Sequence, residues 1–111
     1  MNEFKDRHCV PCERDDFPPL TPEQAQDFME HIPGWELAED ARSISRGYTF
    51  KDFKEALAFT NKVGDLAEEE GHHPDIELSW GRVTLSLTTH SIGGLSENDV
   101  ILAAKVNGLQ N

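Results

Sequence analysis

The chain of 111 residues has only two cysteines, Cys9 and Cys12, and only 10 Lys and Arg against 21 Asp and Glu. Two cysteines make no disulfide framework, which fits a reducing compartment. Neither they nor any serine lie in a nucleophile-elbow motif, so nucleophilic catalysis has no support. The formal charge of −11 opposes nonspecific binding to nucleic acid, where Lys and Arg supply affinity by neutralising phosphates. It also disfavours anionic membrane surfaces. No apolar run approaches the ~20 residues of a membrane-spanning helix. The first residues lack the basic-then-apolar order of a signal peptide, so the expected location is cytoplasmic, with no nucleic acid and no membrane as partner. What remains is 37% apolar and 28% charged, the balance of an ordinary globular domain with a small core.

Residues 1–19 read as an N-terminal extension, with Cys9-Val10-Pro11-Cys12, a charged run over 13–16 and Pro18-Pro19. The domain is expected over 20–111. Thr21-Pro22-Glu23-Gln24 combines a cap, a proline at the first helical position and a capping-box glutamine. Ala25, Phe28, Met29 and Ile32 form the buried face of that helix, and Pro33-Gly34 ends it. Trp35 to Ala38 reads as a short strand, and 42–50 as a second, with Ile44, Arg46, Tyr48 and Phe50 on one side. A long helix follows over Phe53 to Glu70. Its apolar stripe is Phe53, Ala56, Leu57, Thr60, Val63 and Ala67, and Gly71 is its C-terminal cap. Two alternating segments, 75–80 and 83–88, make a hairpin about Gly81-Arg82, a turn with glycine first of the II′ kind. Ser96 caps the last helix, Asp99 completes its capping box, and Leu95 with Val100 forms a hydrophobic staple. The order is α-β-β-α-β-β-α.

Three of the five histidines, His72, His73 and His90, lie near Glu68, Glu69 and Glu70. Imidazole exchanges protons near neutral pH. A turn at 81–82 pairs Trp80 with Val83, Leu78 with Leu85 and Ile76 with Leu87, which collects the apolar residues on one face. Continued outward, the same ladder sets His73 opposite His90. Directly opposed residues have Cβ atoms about 4.5–5.5 Å apart. Pro74 cannot donate to that ladder, so pairing frays there. Acidic residues in a final helical turn oppose the macrodipole. Glu68 stands at i, i+4 to His72, where a carboxylate can orient an imidazole. The plainer readings are a solvated face for Glu69 and Glu70, a capping role for Asp99 and a core position for Trp80. Trp35 fits either the core or the wall of a pocket for a flat ligand. Three histidines also admit a metal site, and His8 with Cys9 and Cys12 admits zinc with one ligand missing.

Glu68, three residues, His72-His73-Pro74, five residues, Trp80, nine residues, His90, eight residues, Asp99: this spaced pattern resembles the signature of the pterin-4a-carbinolamine dehydratases. The resemblance runs from about Leu20 to Val106 and includes Pro33-Gly34-Trp35, Phe50-Lys51-Asp52-Phe53 and Gly93-Gly94-Leu95. It implies an α+β fold, with helices on one face of a four-stranded antiparallel sheet, and a homodimer or homotetramer. It implies dehydration of a 4a-hydroxytetrahydropterin to the quinonoid dihydropterin, a step in tetrahydrobiopterin recycling, with no metal or organic cofactor. On this resemblance the catalytic residues are His72, His73 and His90, and Glu68, Trp35, Asp99 and Pro74 bind substrate. Gly71 stands where animal members carry an acidic residue. Two other functions compete with this one. One is a protein-binding module like the animal relatives that serve as dimerisation cofactors of a homeodomain transcription factor. The other is a metal-dependent enzyme using the same histidines.

Overall fold

The computed structural model describes residues 19–89 and 92–109. The expected extension therefore lies outside the described residues except for Pro19, and so does His90. The elements are α1 (Pro22–Phe28), a short 3₁₀ turn (Met29–His31), β1 (Glu36–Leu37), β2 (Ile44–Thr49), α2 (Phe53–Glu70), β3 (Asp75–Ser79), β4 (Arg82–Leu87) and α3 (Glu97–Gly108). The fold is α+β: one antiparallel sheet in the order β1-β2-β4-β3 with the three helices. On the central strand β4, Val83, Leu85 and Leu87 are buried while Thr84 and Ser86 are half-buried. This alternation gives the sheet one apolar face, which meets Ala56, Phe59 and Val63 of α2 and the apolar side of α3 in a single core.

The helix ends follow local chemistry. Thr21 and Gln24 exchange hydrogen bonds as a capping box, Thr21 N donating to Gln24 Oε1 at 2.9 Å and Gln24 N to Thr21 Oγ1 at 3.2 Å. Asp52 caps α2 through Glu55 N. Leu95 and Val100, flanking the start of α3, are both buried, as the staple requires. The buried stripe of α2 is Ala56, Phe59, Val63 and Ala67. Phe53 and Leu57, expected inside, are exposed, because the stripe is rotated toward Phe59. That ring packs against Tyr48 and Phe50 with centroids 4.6 and 5.3 Å apart.

The hairpin departs from its expected register. Ser79 pairs with Arg82, Leu78 with Val83 and Ile76 with Leu85, so the turn is Trp80-Gly81 and Trp80 sits at its tip, 68% exposed. Trp80 is not a core residue. The shift keeps every side chain on its expected face, so the alternating pattern alone does not select between the two registers. Backbone approach does. Phe50 N donates to Gly81 O at 2.8 Å, and a Cβ on Gly81 would lie 3.0 Å from Phe50 O. Gly81 also has no positive φ, so its role is close passage beside Phe50 rather than a II′ turn. Carried outward from Asp75–Ser86, the observed ladder sets His73 toward Thr88, and the expected His73–His90 pairing loses its basis. His90 itself is outside the described residues.

Arg46 shares a side of β2 with Ile44 and Tyr48, and its burial is resolved by a clamp. Its Nη1 donates to Asn107 Oδ1 at 2.6 Å and to Pro33 O at 3.1 Å. Its guanidinium lies 4.6 Å from the Tyr48 ring centroid. Gly34 adopts φ +90, and a Cβ there would fall 2.6 Å from Arg46 Cζ, which explains the glycine after Pro33.

Candidate active site

The site begins where α2 stops. Gly71 takes the left-handed conformation (φ 68) and donates its N–H to Ala67 O. His72 N donates to the same carbonyl at 3.2 Å. This glycine cap reverses the chain, so that His72 turns inward and His73, next along, faces solvent. His72 is 5% exposed, and its Nε2 lies 2.6 Å from Asp99 Oδ1.

Asp99 is fully buried at the third position of α3. Its other oxygen, Oδ2, accepts from Ser96 N at 3.0 Å and from the Thr89 hydroxyl at 2.9 Å. A buried carboxylate must be paired in this way, since an uncompensated charge away from water is costly. The helix N-terminus also favours the negative charge. Asp99 therefore caps α3 with one oxygen and engages His72 with the other.

His73 Nε2 pairs with Glu68 Oε2, and both side chains are largely exposed, 59% and 78%. The Glu68 partner is thus His73, not the i+4 residue His72, because the left-handed step at Gly71 breaks helical spacing before the histidines. Such an open pair is worth about 0.2–1 kcal/mol. Glu69 is exposed as expected, but Glu70 is not part of a solvated face. Its side chain is 2% exposed and lies 3.6 Å from Lys105 Nζ, so this pair ties the end of α2 to α3 a few residues from His72.

Two adjacent imidazoles, each held by its own carboxylate, thus stand at a helix-to-strand junction. Residues 18–109 match the family model described as pterin 4 alpha carbinolamine dehydratase. The chain belongs to the pterin-4a-carbinolamine dehydratase family. A protein of Aromatoleum aromaticum, provisionally named a pterin-4-alpha-carbinolamine dehydratase, is 47% identical over 97% of this chain and 96% of its own. The pterin-4-alpha-carbinolamine dehydratase 2 of Arabidopsis thaliana, named mitochondrial, is 44% identical over 99% of this chain and 60% of its own. A crystal structure described as a transcriptional coactivator/pterin dehydratase from Brucella melitensis has a TM-score of 0.78 at 31% identity, covering 84% of this chain and 99% of that one.

The other expected site residues within the described part of the chain are Trp35 and Pro74. Trp35 is buried, and its Nε1 donates to Asn107 Oδ1 at 2.9 Å, in the Arg46 clamp. Pro74 is half-buried beside His73. A cavity of about 310 Å³ lined by Phe50, Glu55, Ala58, Phe59, Lys62 and Leu109 lies toward the opposite end of α2. It ends about 12 Å along the helix axis from Glu70. Among the described residues no cluster of three or more His, Cys, Asp or Glu is placed to hold a metal ion, and no helix is long and apolar enough to cross a membrane. Thr89, Ser96 and the Glu70–Lys105 pair were missed as contributors. Ser96 and Asp99 were legible as a capping box, but nothing local to that box links it to His72, 27 residues earlier.

The hydrogen bonds dictate a tautomer. An ionised carboxylate only accepts, so the His72 nitrogen facing Asp99, Nε2, carries the proton. Neutral His72 is therefore the Nε2–H form, in which Nδ1 is the acceptor nitrogen of the ring. The same reasoning assigns Nε2–H to His73 through Glu68. Fixing the proton on one ring nitrogen to set the task of the other is what an orienting carboxylate does for an imidazole.

Proposed function

We propose that this protein dehydrates a 4a-hydroxytetrahydropterin to the quinonoid dihydropterin by histidine general acid–base catalysis. The supporting observation is the pair of carboxylate–imidazole dyads, Asp99–His72 and Glu68–His73, at one chain reversal in a member of this family. The reaction removes the C4a hydroxyl as water and the proton from N5, and leaves a C4a=N5 double bond. It needs an acid for the leaving oxygen and a base for N5. Imidazoles titrate near the working pH and can fill both roles.

His72 and His90 donate to the leaving hydroxyl from different sides, and His73 holds the substrate and accepts the N5 proton. Asp99 holds the Nε2–H of His72 and stabilises the imidazolium that donates from Nδ1, and Glu68 holds the Nε2–H of the exposed His73 so that its Nδ1 is the acceptor. Trp35 and Pro74 belong to the substrate-binding edge, Trp35 by stiffening the 33–35 segment through Asn107. No metal or organic cofactor takes part, and the substrate is a small pterin recycled from tetrahydrobiopterin use. A homodimer or homotetramer in the cytoplasm is part of the same reading.

The test is stopped-flow absorbance with freshly generated 4a-carbinolamine, with and without EDTA. Acceleration over the spontaneous reaction that survives EDTA is the expected result. Loss of activity in EDTA would move the same histidines to a metal-dependent reaction. No acceleration at all would leave a binding role, of the kind the Brucella protein's description as a coactivator raises.

A further inference from the structure

Thr89 has no place in the scheme above, yet it is 5% exposed and makes two side-chain hydrogen bonds beside the catalytic pair. Its hydroxyl has one hydrogen. That hydrogen goes to Asp99 Oδ2, 2.9 Å away, since a carboxylate can only accept. The Ser96 hydroxyl, 2.7 Å from Thr89 Oγ1, must then be the donor in that contact. Ser96 Oγ in turn accepts from Asn98 N at 3.2 Å. The hydrogens thus run one way: Asn98 N–H to Ser96, Ser96 O–H to Thr89, Thr89 O–H to Asp99, with His72 Nε2–H donating to the far oxygen of the same carboxylate. The Thr89 backbone is fixed as well. Its N–H donates to Gly94 O at 2.9 Å, and its carbonyl accepts from Ile92 N at 3.2 Å.

We infer that Thr89 is a positioning residue for catalysis: its hydroxyl, polarised by Ser96, holds the Asp99 carboxylate in the orientation that fixes the tautomer and aim of His72. This inference rests on the proposed dehydration. Its consequence follows from charge. A donor on Oδ2 draws off part of the carboxylate's negative charge and so moderates its pull on the His72 proton. Thr89 also directly precedes His90 in the chain, so one residue joins the buried dyad to the segment carrying the third histidine. The titratable groups at this end of the packed elements are Glu68, Glu69 and Glu70 of α2, Glu97, Asp99 and Lys105 of α3, His73, and Arg42, whose carbonyl accepts from Thr88, with His90 next in the chain. Substitution at 89 changes the charge of none of them.

The experiment compares Thr89→Val, which keeps shape and loses the hydroxyl, with Thr89→Ser, which keeps the hydroxyl. One readout needs no substrate: ¹H–¹⁵N NMR of the His72 ring across pH. The other is dehydration kinetics as a pH profile. Thr89→Val is expected to move the His72 titration upward by about half a unit or more, since a hydrogen bond to a charged group is at stake. It is also expected to lower kcat roughly 3- to 30-fold with KM within about twofold. Thr89→Ser is expected to restore both.

Ser96→Gly is the second variant. Glycine is an acceptable helix N-cap and keeps the backbone N–H on Asp99 while removing only the hydroxyl behind Thr89. A smaller shift in the same direction is expected, and this arm holds if Thr89→Val does not fold. A His72 titration unchanged in Thr89→Val and Ser96→Gly would overturn the inference, as would a Thr89→Ser as impaired as Thr89→Val. A wild type without dehydratase activity would instead remove the functional reading, while the NMR comparison would still decide whether Thr89 controls the dyad.

Discussion

Replacing Asp99 by asparagine keeps its volume and removes its charge, and the surrounding donors determine how the site responds. The Oδ2 position receives two hydrogens, from Ser96 N and from the Thr89 hydroxyl, at 3.0 and 2.9 Å. The Oδ1 position faces a single ring nitrogen of His72. Asparagine has one acceptor oxygen and one donor NH2. The Ser96 N–H is backbone and cannot turn away, whereas an imidazole can change tautomer. The amide oxygen therefore takes the Oδ2 position and the NH2 faces His72. The reverse orientation would set two donors against each other and leave a buried N–H unpaired, at a cost of about 1–3 kcal/mol. With NH2 toward Nε2, that nitrogen must become the acceptor, and neutral His72 shifts its proton to Nδ1. A neutral imidazole N–H is a far weaker acid than an imidazolium, and the charge-assisted bond to Asp99 that stabilises the imidazolium, worth about 1.5–3 kcal/mol, is gone. At 1.36 kcal/mol per factor of ten, kcat/KM should fall roughly 10- to 150-fold. Stopped-flow kinetics reads the rate, and ¹⁵N chemical shifts of His72 read the tautomer. An Asp99→Asn protein that keeps more than half its activity and an Nε2–H imidazole would show that Asp99 only caps α3.

The packing sets three further outcomes. Glu70→Ala is expected to destabilise the fold toward the low end of the roughly 3–5 kcal/mol seen when one partner of a buried ion pair is removed, because the Lys105 side chain is 14% exposed and can reach water. Glu70→Met with Lys105→Met should lose less than either single change in urea unfolding, and a double change as costly as the sum would contradict the pairing. Gly34→Ala should cost about 1–3 kcal/mol, combining left-handed backbone strain with displacement of Arg46, and a thermal midpoint equal to wild type would refute the clamp. Tyr48 has a buried hydroxyl with no hydrogen-bond partner among the described residues. Burial pushes its pKa above 10, and the charge of the nearby Arg46 guanidinium partly offsets this. A folded pKa above the unfolded one gives stability that is complete below pH 10 and is lost as pH rises through the folded value. Tyr48→Phe should therefore fold and lose less stability than wild type above pH 10, and equal alkaline losses would argue against a buried Tyr48 hydroxyl.

The parts of the fold written in local chemistry were legible in the sequence. Helix α2 runs from Phe53 to Glu70 and ends at Gly71 as expected, and the Thr21–Gln24 and Ser96–Asp99 boxes start their helices as expected. What local patterns leave degenerate was not legible. A two-residue shift of the β3–β4 hairpin preserves alternation, and only the passage of Gly81 against Phe50 selects the register. The expected α2 stripe ran through Phe53 and Leu57 and left out Phe59, which the ring stack with Tyr48 and Phe50 draws into the core. In the site, Asp99 and His72 were both candidates, but their contact joins residues 27 apart, and the exchange of Glu68 from His72 to His73 depends on one left-handed residue. Glu70 was assigned to solvent because its partner, Lys105, belongs to the last helix.

The central claim is that imidazoles held by Asp99 and Glu68 move the protons of carbinolamine dehydration. It is tested most directly by single-turnover stopped-flow with 4a-carbinolamine on wild type, His72→Gln, His73→Gln and His90→Gln at matched folded concentration. Acceleration by the wild type, with each variant slowed about a hundredfold or more, the scale of one lost acid or base, is the result expected. Variants that each turn over as fast as the wild type would contradict it.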